Sequence, residues 1–390
     1  MPGFEVIGFE EQQEVNSIFL NGGGVLFRHG FDKLRSNSFK VKEFEYDFGT
    51  YIGNTNTLAV SSGTAALRVA IASLNLSPGD EIITQSFTFV ATAEAIVESG
   101  CIPVFTEINE TLNMDPLDLE KRITPKTKAV IVVHMLGTPA NLTQIKNICK
   151  SNNLYLIEDT AWGCGGEYGE KKLGTVGDIG CFSFDFAKTI TTGEGGMVVF
   201  HDFDLFKKGA AYHDHGHENN PNLPRWEDSR SSSGFNYRMS ELQGAVGKAQ
   251  LKKLDYIINC QRTNAKKIRT IVQKYDYYVE RHTPLNSYGT ADAFVFFCKN
   301  IKPIEIRKAL LQNGISTKIL PEATTWHFAQ HWSHIIKFDT FTGKPLGESF
   351  RKSANLLNSA VSIPISVNQS DSFNQIVENT FESIDRENFN

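Results

Sequence analysis

One lysine, Lys188, stands between an aromatic-rich run and a glycine cluster in "CFSFDFAKTITTGEGGMVVF", residues 181–200. An amine so placed is either a solvated loop charge, as most lysines are, or a nucleophile for covalent chemistry. Two other stretches bear on the choice. In "SSGTAAL", residues 61–67, Gly63 and Thr64 open a helix directly after a short strand. Bare N–H groups at the positive end of a helix make a phosphate site, although a simple cap reads equally well there. In "LIEDTAWG", residues 156–163, Asp159 closes an apolar strand, where a carboxylate is costly without a partner. It too reads alone as a cap. Together they meet the needs of pyridoxal phosphate: an anion site, a lysine to condense with the aldehyde, and a buried carboxylate to keep the ring nitrogen protonated. A dinucleotide fits worse, because "GCGGEYG" is not a GxGxxG and no helix clearly follows it.

These residues need a scaffold that brings strand ends together. The pattern predicts one. "TLAV" (57–60), "EIITQ" (81–85), "IPVFTEI" (102–108), "AVIVVHML" (129–136) and "LYLIED" (154–159) read as short apolar strands. Helical stretches separate most of them, among them "SGTAALRVAIASLNL", "TFVATAEAIVESG" and "ANLTQIKNICKSNN", the last with Asn141 as a cap. Such alternation argues for a parallel sheet covered on both faces, whose ligands sit at the carboxyl ends of the strands. Upstream, 10–20 and a stretch ending at Gly53 read as helices around an ordered loop. Residues 213–234 read as a long polar loop. Residues 239–275 read as one long helix, bent near Gly244 or Gly247, that carries the chain into a smaller domain. There "AFVFFCK", "PIEIRKALLQNG" and "ISTKIL" read as strand, helix and strand. We expect a large domain over 1–255 and a small one over 256–390.

The series "SSGTAAL", "SFTFVATAEAI", "LIEDTA", "GDIGCFSFDFAKTITTGEGG" and "GFNYRMSELQGAVGKAQLKKLD" resembles the DegT family of sugar aminotransferases, over residues 1 to about 275. The resemblance implies an α/β protein of the type I aminotransferase fold. Its mostly parallel central sheet would carry helices on both faces, with a smaller C-terminal α/β domain. It also implies a homodimer with shared active sites, and pyridoxal 5'-phosphate as cofactor. Lys188 would be the Schiff-base lysine and Asp159 the partner of the pyridine nitrogen. Ser183 and the Gly63 and Thr64 amides would hold the phosphate, with Ser62 in the same cofactor-binding set. Phe89 would stack on the ring, and Asn236 would reach the phosphate of the partner subunit's cofactor. The family usually has Gln or His three residues after the aspartate. This chain has Trp162, which can stack on the ring but whose indole only donates a hydrogen bond. Related dehydratases carry histidine in place of the lysine, so Lys188 favours transamination.

Further strings, "MPGFE", "FRHGFDKLRSN", "DHGHENN" and "TWHFAQHWSHI", resemble members of the family that place nitrogen on C8 of an eight-carbon sugar acid, with glutamate as donor. On that reading Arg28, then Arg35, would pair a sugar carboxylate bidentately; surface charge is the alternative. His215 and His327 would contact substrate. The alternating His213, His215 and His217, and the trio His327, His331 and His334, read as active-site loop and packing or substrate contacts rather than metal ligands. The rival substrate is a nucleotide-linked keto-hexose. A rival of another class, a non-catalytic cofactor-binding regulator, has no need to keep both Lys188 and Asp159.

Composition narrows the field further. A net charge of −5 with no basic block gives nucleic-acid binding little support. No run approaches the roughly 20 apolar residues of a membrane span. The acidic start lacks the order of a signal peptide. Six scattered cysteines with no CxxC pair read as reduced cytoplasmic thiols, not a disulfide frame or zinc site.

Overall fold

Apolar, β-branched runs separated by helices build the central sheet. The computed structural model describes residues 2–220 and 222–389. Its first strands are β1 (Thr57–Val60), β2 (Glu81–Gln85), β3 (Ile102–Thr106), β4 (Thr127–Val133) and β5 (Tyr155–Asp159). A short pair follows, β6 (Glu167–Tyr168) and β7 (Lys171–Lys172), then β8 (Ile179–Ser183) and β9 (Gly196–Phe200). Seven of these form one sheet in the order β1-β9-β8-β5-β4-β2-β3. The pairs from β8 across to β3 are parallel, and β9 runs antiparallel to both β1 and β8. Both faces are covered. Along β4, Ala129 and Ile131 pack with the helix Gly63–Ser73, whereas Val130 and Val132 pack with the helix Leu142–Ser151. Two-sided burial is why these strands read as continuous apolar runs instead of alternating ones.

The C-terminal part builds its own sheet from β10 (Tyr278–Glu280), β12 (Ala293–Cys298) and β13 (Ala360–Pro364), while β11 (Ser287–Tyr288) joins β6 and β7. The helix Leu254–Val272 serves both cores. Leu254 and Ile257 pack with Phe182 of the large sheet, and Ile268 and Ile271 pack with Phe296 of the small one.

Two expectations need correction. The long helix is two, Glu241–Leu251 and Leu254–Val272, broken at Lys252 and Lys253 and not at a glycine. Gly247 instead lets the first of them cross the helix Lys40–Ile52 closely: a Cβ there would stand 2.6 Å from Phe44 Cε1. Residues 315–320 form no strand. Ile319 takes a left-handed φ of 70°, which a β-branched residue adopts only under constraint, and Ser362 of β13 bonds the Lys318 and Leu320 main chain instead.

Gly247→Val would force the two helices apart. Overpacking of this kind costs about 1–3 kcal/mol, so the urea midpoint should fall. An unchanged midpoint would show that the crossing tolerates a side chain.

Candidate active site

The carboxyl ends of β1, β5 and β8 open onto one cavity of about 350 Å³. At the end of β1, Ser62 caps the helix Gly63–Ser73 by accepting the Ala65 N–H at 3.0 Å. The first amides of that helix belong to the set that has no intrahelical acceptor. Ser183, the last residue of β8, lies so close that a Cβ on Gly63 would be 2.7 Å from Ser183 Cβ. The bare turn of Gly63 and the Ser183 hydroxyl therefore form one cradle for an anion.

The acidic pair at the end of β5 splits, because neighbouring residues of a strand face opposite ways. Glu158 turns into the protein. Its carboxylate accepts the N–H groups of Gly174, Val176 and Gly177 at 2.9, 2.7 and 2.6 Å, and His134 Nε2 lies 3.1 Å away. Burial alone would raise its pKa, but these donors bring it below the usual value. Asp159 turns to the cavity. Thr92 Oγ1 and the Ala161 N–H donate to it at 3.0 and 3.2 Å. Here burial prevails and the pKa is raised. A buried carboxylate with that bias suits a ligand that presents a charged N–H.

Lys188 completes the wall. Its Nζ stands 3.6 Å from the centre of the Trp162 ring, a cation–π contact. Burial lowers its pKa from 10.5 to about 8, against the pull of Asp159, Asp292 and Asp185. Trp162 thus meets an ammonium with its ring face, while its carbonyl accepts the Thr290 hydroxyl at 3.1 Å. Phe89 and His327 stand beside each other on the same cavity, ring centres 5.4 Å apart. His327 Nδ1 donates to the Ala323 carbonyl at 2.8 Å, and burial lowers the pKa of the ring. The segment around it is sewn to the loop after β2 by Thr88 N–H to His327 O and Ala329 N–H to Ser86 O.

Of the residues singled out from sequence, Ser62, Gly63, Thr64, Phe89, Asp159, Trp162, Ser183, Lys188 and His327 line this cavity. Arg28, His215 and Asn236 do not. Arg28 is corrected as a substrate contact of this cavity. It is buried, pairs with Glu45 at 2.7 Å and donates to the Ala59 carbonyl at 3.0 Å, stapling its loop to β1. Arg35 is likewise spent, on Glu241 at 3.0 Å and on the Phe27 and Gly30 carbonyls. His215 is exposed on a loop anchored by Asp214. Burial would raise the pKa of Asp214, but His29 and Arg225 hold it well below the carboxylate range. Asn236 is exposed too, its Oδ1 accepting the Arg238 N–H at 3.3 Å. Among the described residues no three His, Cys, Asp or Glu side chains converge as a metal site.

Sequence reading missed Thr92, although it sits inside "SFTFVAT", and it missed the pair Lys318–Asp292. That ion pair spans 2.6 Å, and Lys318 Nζ lies 4.9 Å from the Trp162 ring centre. Nothing in the spacing of those two residues announces a shared site.

A mostly parallel sheet with a lysine, an aspartate and a helix N-terminus on one cavity defines the type I aminotransferase fold. The chain belongs to the DegT/DnrJ/EryC1/StrS aminotransferase family, whose pattern matches residues 32–381. Its cofactor is pyridoxal 5'-phosphate. The geometry fits that group: the cradle at Gly63 and Ser183 for the phosphate, Asp159 for the ring nitrogen, Lys188 for the aldehyde. Among relatives, GDP-perosamine synthase of Escherichia coli O157:H7 is 40% identical over 245 residues, 62% of this chain and 66% of that protein. The dTDP-4-dehydro-2,3,6-trideoxy-D-glucose 4-aminotransferase of Saccharopolyspora spinosa is 36% identical over 57% of this chain and 60% of its own length. The chain thus spans just under two thirds, or less, of the length of these curated relatives. Among solved structures, PseC of Helicobacter pylori, an aminotransferase of pseudoaminic acid biosynthesis, superposes with a TM-score of 0.82, 26% identity and 97% of both chains covered.

An amine with a pKa of about 8 attacks only when deprotonated. Capture of added pyridoxal phosphate by cofactor-free protein should therefore speed up about tenfold per pH unit below that value and level off above it. A rate that keeps climbing toward pH 10.5 would mean that the Lys188 amine is not desolvated.

Proposed function

We propose that this protein is an aminotransferase that moves the amine of glutamate to C8 of 8-oxo-3-deoxy-manno-octulosonate, giving 2-oxoglutarate and 8-amino-3,8-dideoxy-manno-octulosonate, a lipopolysaccharide sugar. The observation that carries amine transfer is Lys188 Nζ held over Trp162 in the cavity that Asp159 closes. Pyridoxal phosphate, when bound, supplies an electron sink for the carbon–hydrogen bond that must break. Asp159 would keep the ring nitrogen protonated, and Thr92 and the Ala161 N–H keep Asp159 oriented. Lys188, once released, would be the base whose Nζ carries the proton from the amine-bearing carbon of the donor to the cofactor's aldehyde-derived carbon, and in the second half-reaction from that carbon to the sugar carbon that receives the amine. Its lowered pKa suits both directions. Trp162, Phe89 and His327 line one side of the cavity.

The choice of sugar rests on "FRHGFDKLRSN", "DHGHENN" and "TWHFAQHWSHI", strings outside the cofactor motifs. Of these the last carries His327 into the cavity wall. It does not rest on Arg28, which is committed to Glu45. A second reading, a nucleotide-linked keto-hexose, is favoured by the two relatives named above, whose names specify GDP- and dTDP-linked sugars. Purified enzyme supplied with glutamate should turn over 8-oxo-3-deoxy-octulosonate with a higher kcat/KM than any keto-hexose nucleotide. The opposite preference would replace the octulosonate by the nucleotide sugar and leave amine transfer standing.

We also propose a homodimer in the cytoplasm with composite active sites. Leu26, Phe27, Phe31, Leu34, Trp226 and Phe235 are exposed, more large apolar side chains than a monomer leaves together on two neighbouring loops. Asn236, beside Phe235, lies off its own chain's cavity, as a residue serving the partner's phosphate would. The six cysteines are unpaired, as in a reducing compartment. Among the described residues no helix is long and apolar enough to cross a membrane. Mixing inactive Lys188→Ala and Asn236→Ala subunits should restore activity, because both defects then fall in one site of the heterodimer and leave the other intact. No recovery after verified subunit exchange would contradict the shared site.

A further inference from the structure

The string at the start of the chain lies outside the cavity, yet it touches the loop that carries the lysine. Met1 lies outside the described residues; Pro2–Glu5 form one helical turn with Pro2 and Gly3 buried. The Gly3 N–H donates to the Lys188 carbonyl at 3.1 Å. The approach leaves no room for a side chain: a Cβ on Gly3 would stand 2.8 Å from Thr191 N and 2.9 Å from Ile190 Cα. Phe4 adds an edge-on contact with Phe186, ring centres 6.4 Å apart. The other end of the turn is held elsewhere. The Glu5 carboxylate accepts the Val367 and Asn368 N–H groups at 2.8 and 3.0 Å and the Ser366 hydroxyl at 2.5 Å. Lys253 Nζ donates to the Val6 carbonyl at 2.8 Å.

We propose that residues 2–6 are a strap that positions Lys188 by tying its main chain to the segment 366–368 that follows β13. The bonds close a circuit. Gly3 holds the carbonyl of the reactive residue, and Glu5 holds 366–368. The adjoining Ile365 N–H bonds the Asp292 carbonyl at 3.2 Å, and the Asp292 carboxylate attracts the Lys188 ammonium. Main chain and amine of one lysine are thus referred to the same C-terminal element. Strain or slack in the strap shifts the amine relative to Asp292 and Trp162. Packing alone does not require a bond to the carbonyl of residue 188.

The inference rests on Lys188 as the cofactor's attachment point. The test is a pH titration of the visible absorbance of the cofactor-loaded protein, with hydrogen exchange of amides 186–192 measured in parallel. Gly3→Ala displaces the strap from the loop. Glu5→Ala releases its far end without touching the loop, and so serves where Gly3→Ala fails to fold. The groups facing the amine, namely Asp159, Asp185, Glu194, Asp292, Lys318 and His327, are intact in both variants. We expect the titration midpoint to move by about half a pH unit, roughly 0.7 kcal/mol at 1.36 kcal/mol per unit, and exchange across 186–192 to quicken. Lys188→Ala, titrated alongside, should lose the visible response. A lowered Tm with midpoint and exchange unmoved in both variants would overturn the strap and leave the attachment point intact. A Lys188→Ala protein that titrates like the parent would overturn both.

Discussion

Desolvation of two opposite charges in one cavity governs this site. The same burial that pushes the Asp159 carboxyl up brings the Lys188 amine down to about 8. Each shift opposes the charged form, and the attraction between the two groups offsets part of it. An ammonium resting 3.6 Å from an indole centre is held without being fully paired, so it can give up its proton near neutral pH. A pyridinium N–H against Asp159 would supply the counter-charge that the carboxylate lacks among its protein donors. The cavity therefore suits a group that would bring a positive edge to Asp159, an anion to Gly63 and Ser183, and an electrophile to Lys188.

The fold delivers these groups through strand ends. Residue alternation at the end of β5 sends Glu158 into a fully bonded knot with Gly174, Val176 and Gly177, and frees Asp159 for chemistry. That knot fixes the strand end without drawing on the cavity's own donors. Across the cavity, the bonds Thr88–His327 and Ser86–Ala329 join the loop bearing Phe89 to the C-terminal part. The aromatic wall is therefore tied to the segment around His327, as the proposed strap would tie Lys188 to the segment after β13.

Much of this was legible in the sequence, for physical reasons that also explain the gaps. Runs such as "AVIVVHML" announce a two-sided sheet because only a covered strand tolerates continuous apolar residues. Asp159, Gly63 and Lys188 stood out in combination: each alone reads as a cap or a loop charge, but together they meet the needs of one cofactor. Arg28 and Arg35 misled because an isolated arginine says nothing of its partner. Glu45 is a helix away, and Glu241 is remote in the chain, brought near only by the crossing of two helices. Glycine suggested a bend at 244 or 247, whereas it marks close helix packing there. "ISTKIL" had strand composition, but β13 already occupies the edge of β12 and Ser362 captures its main chain. Trp162 was read as able to stack on the cofactor ring; here its face meets the ammonium of Lys188, which no motif discloses.

On the proposed reading Lys188, and no other amine near the cavity, bonds the cofactor. Reduction of the cofactor-loaded protein with borohydride, followed by peptide mapping, tests it directly. A single pyridoxyl label on residue 188 is the expected result. A label on Lys318, the other ammonium against Trp162, or on any lysine outside the cavity, would contradict it.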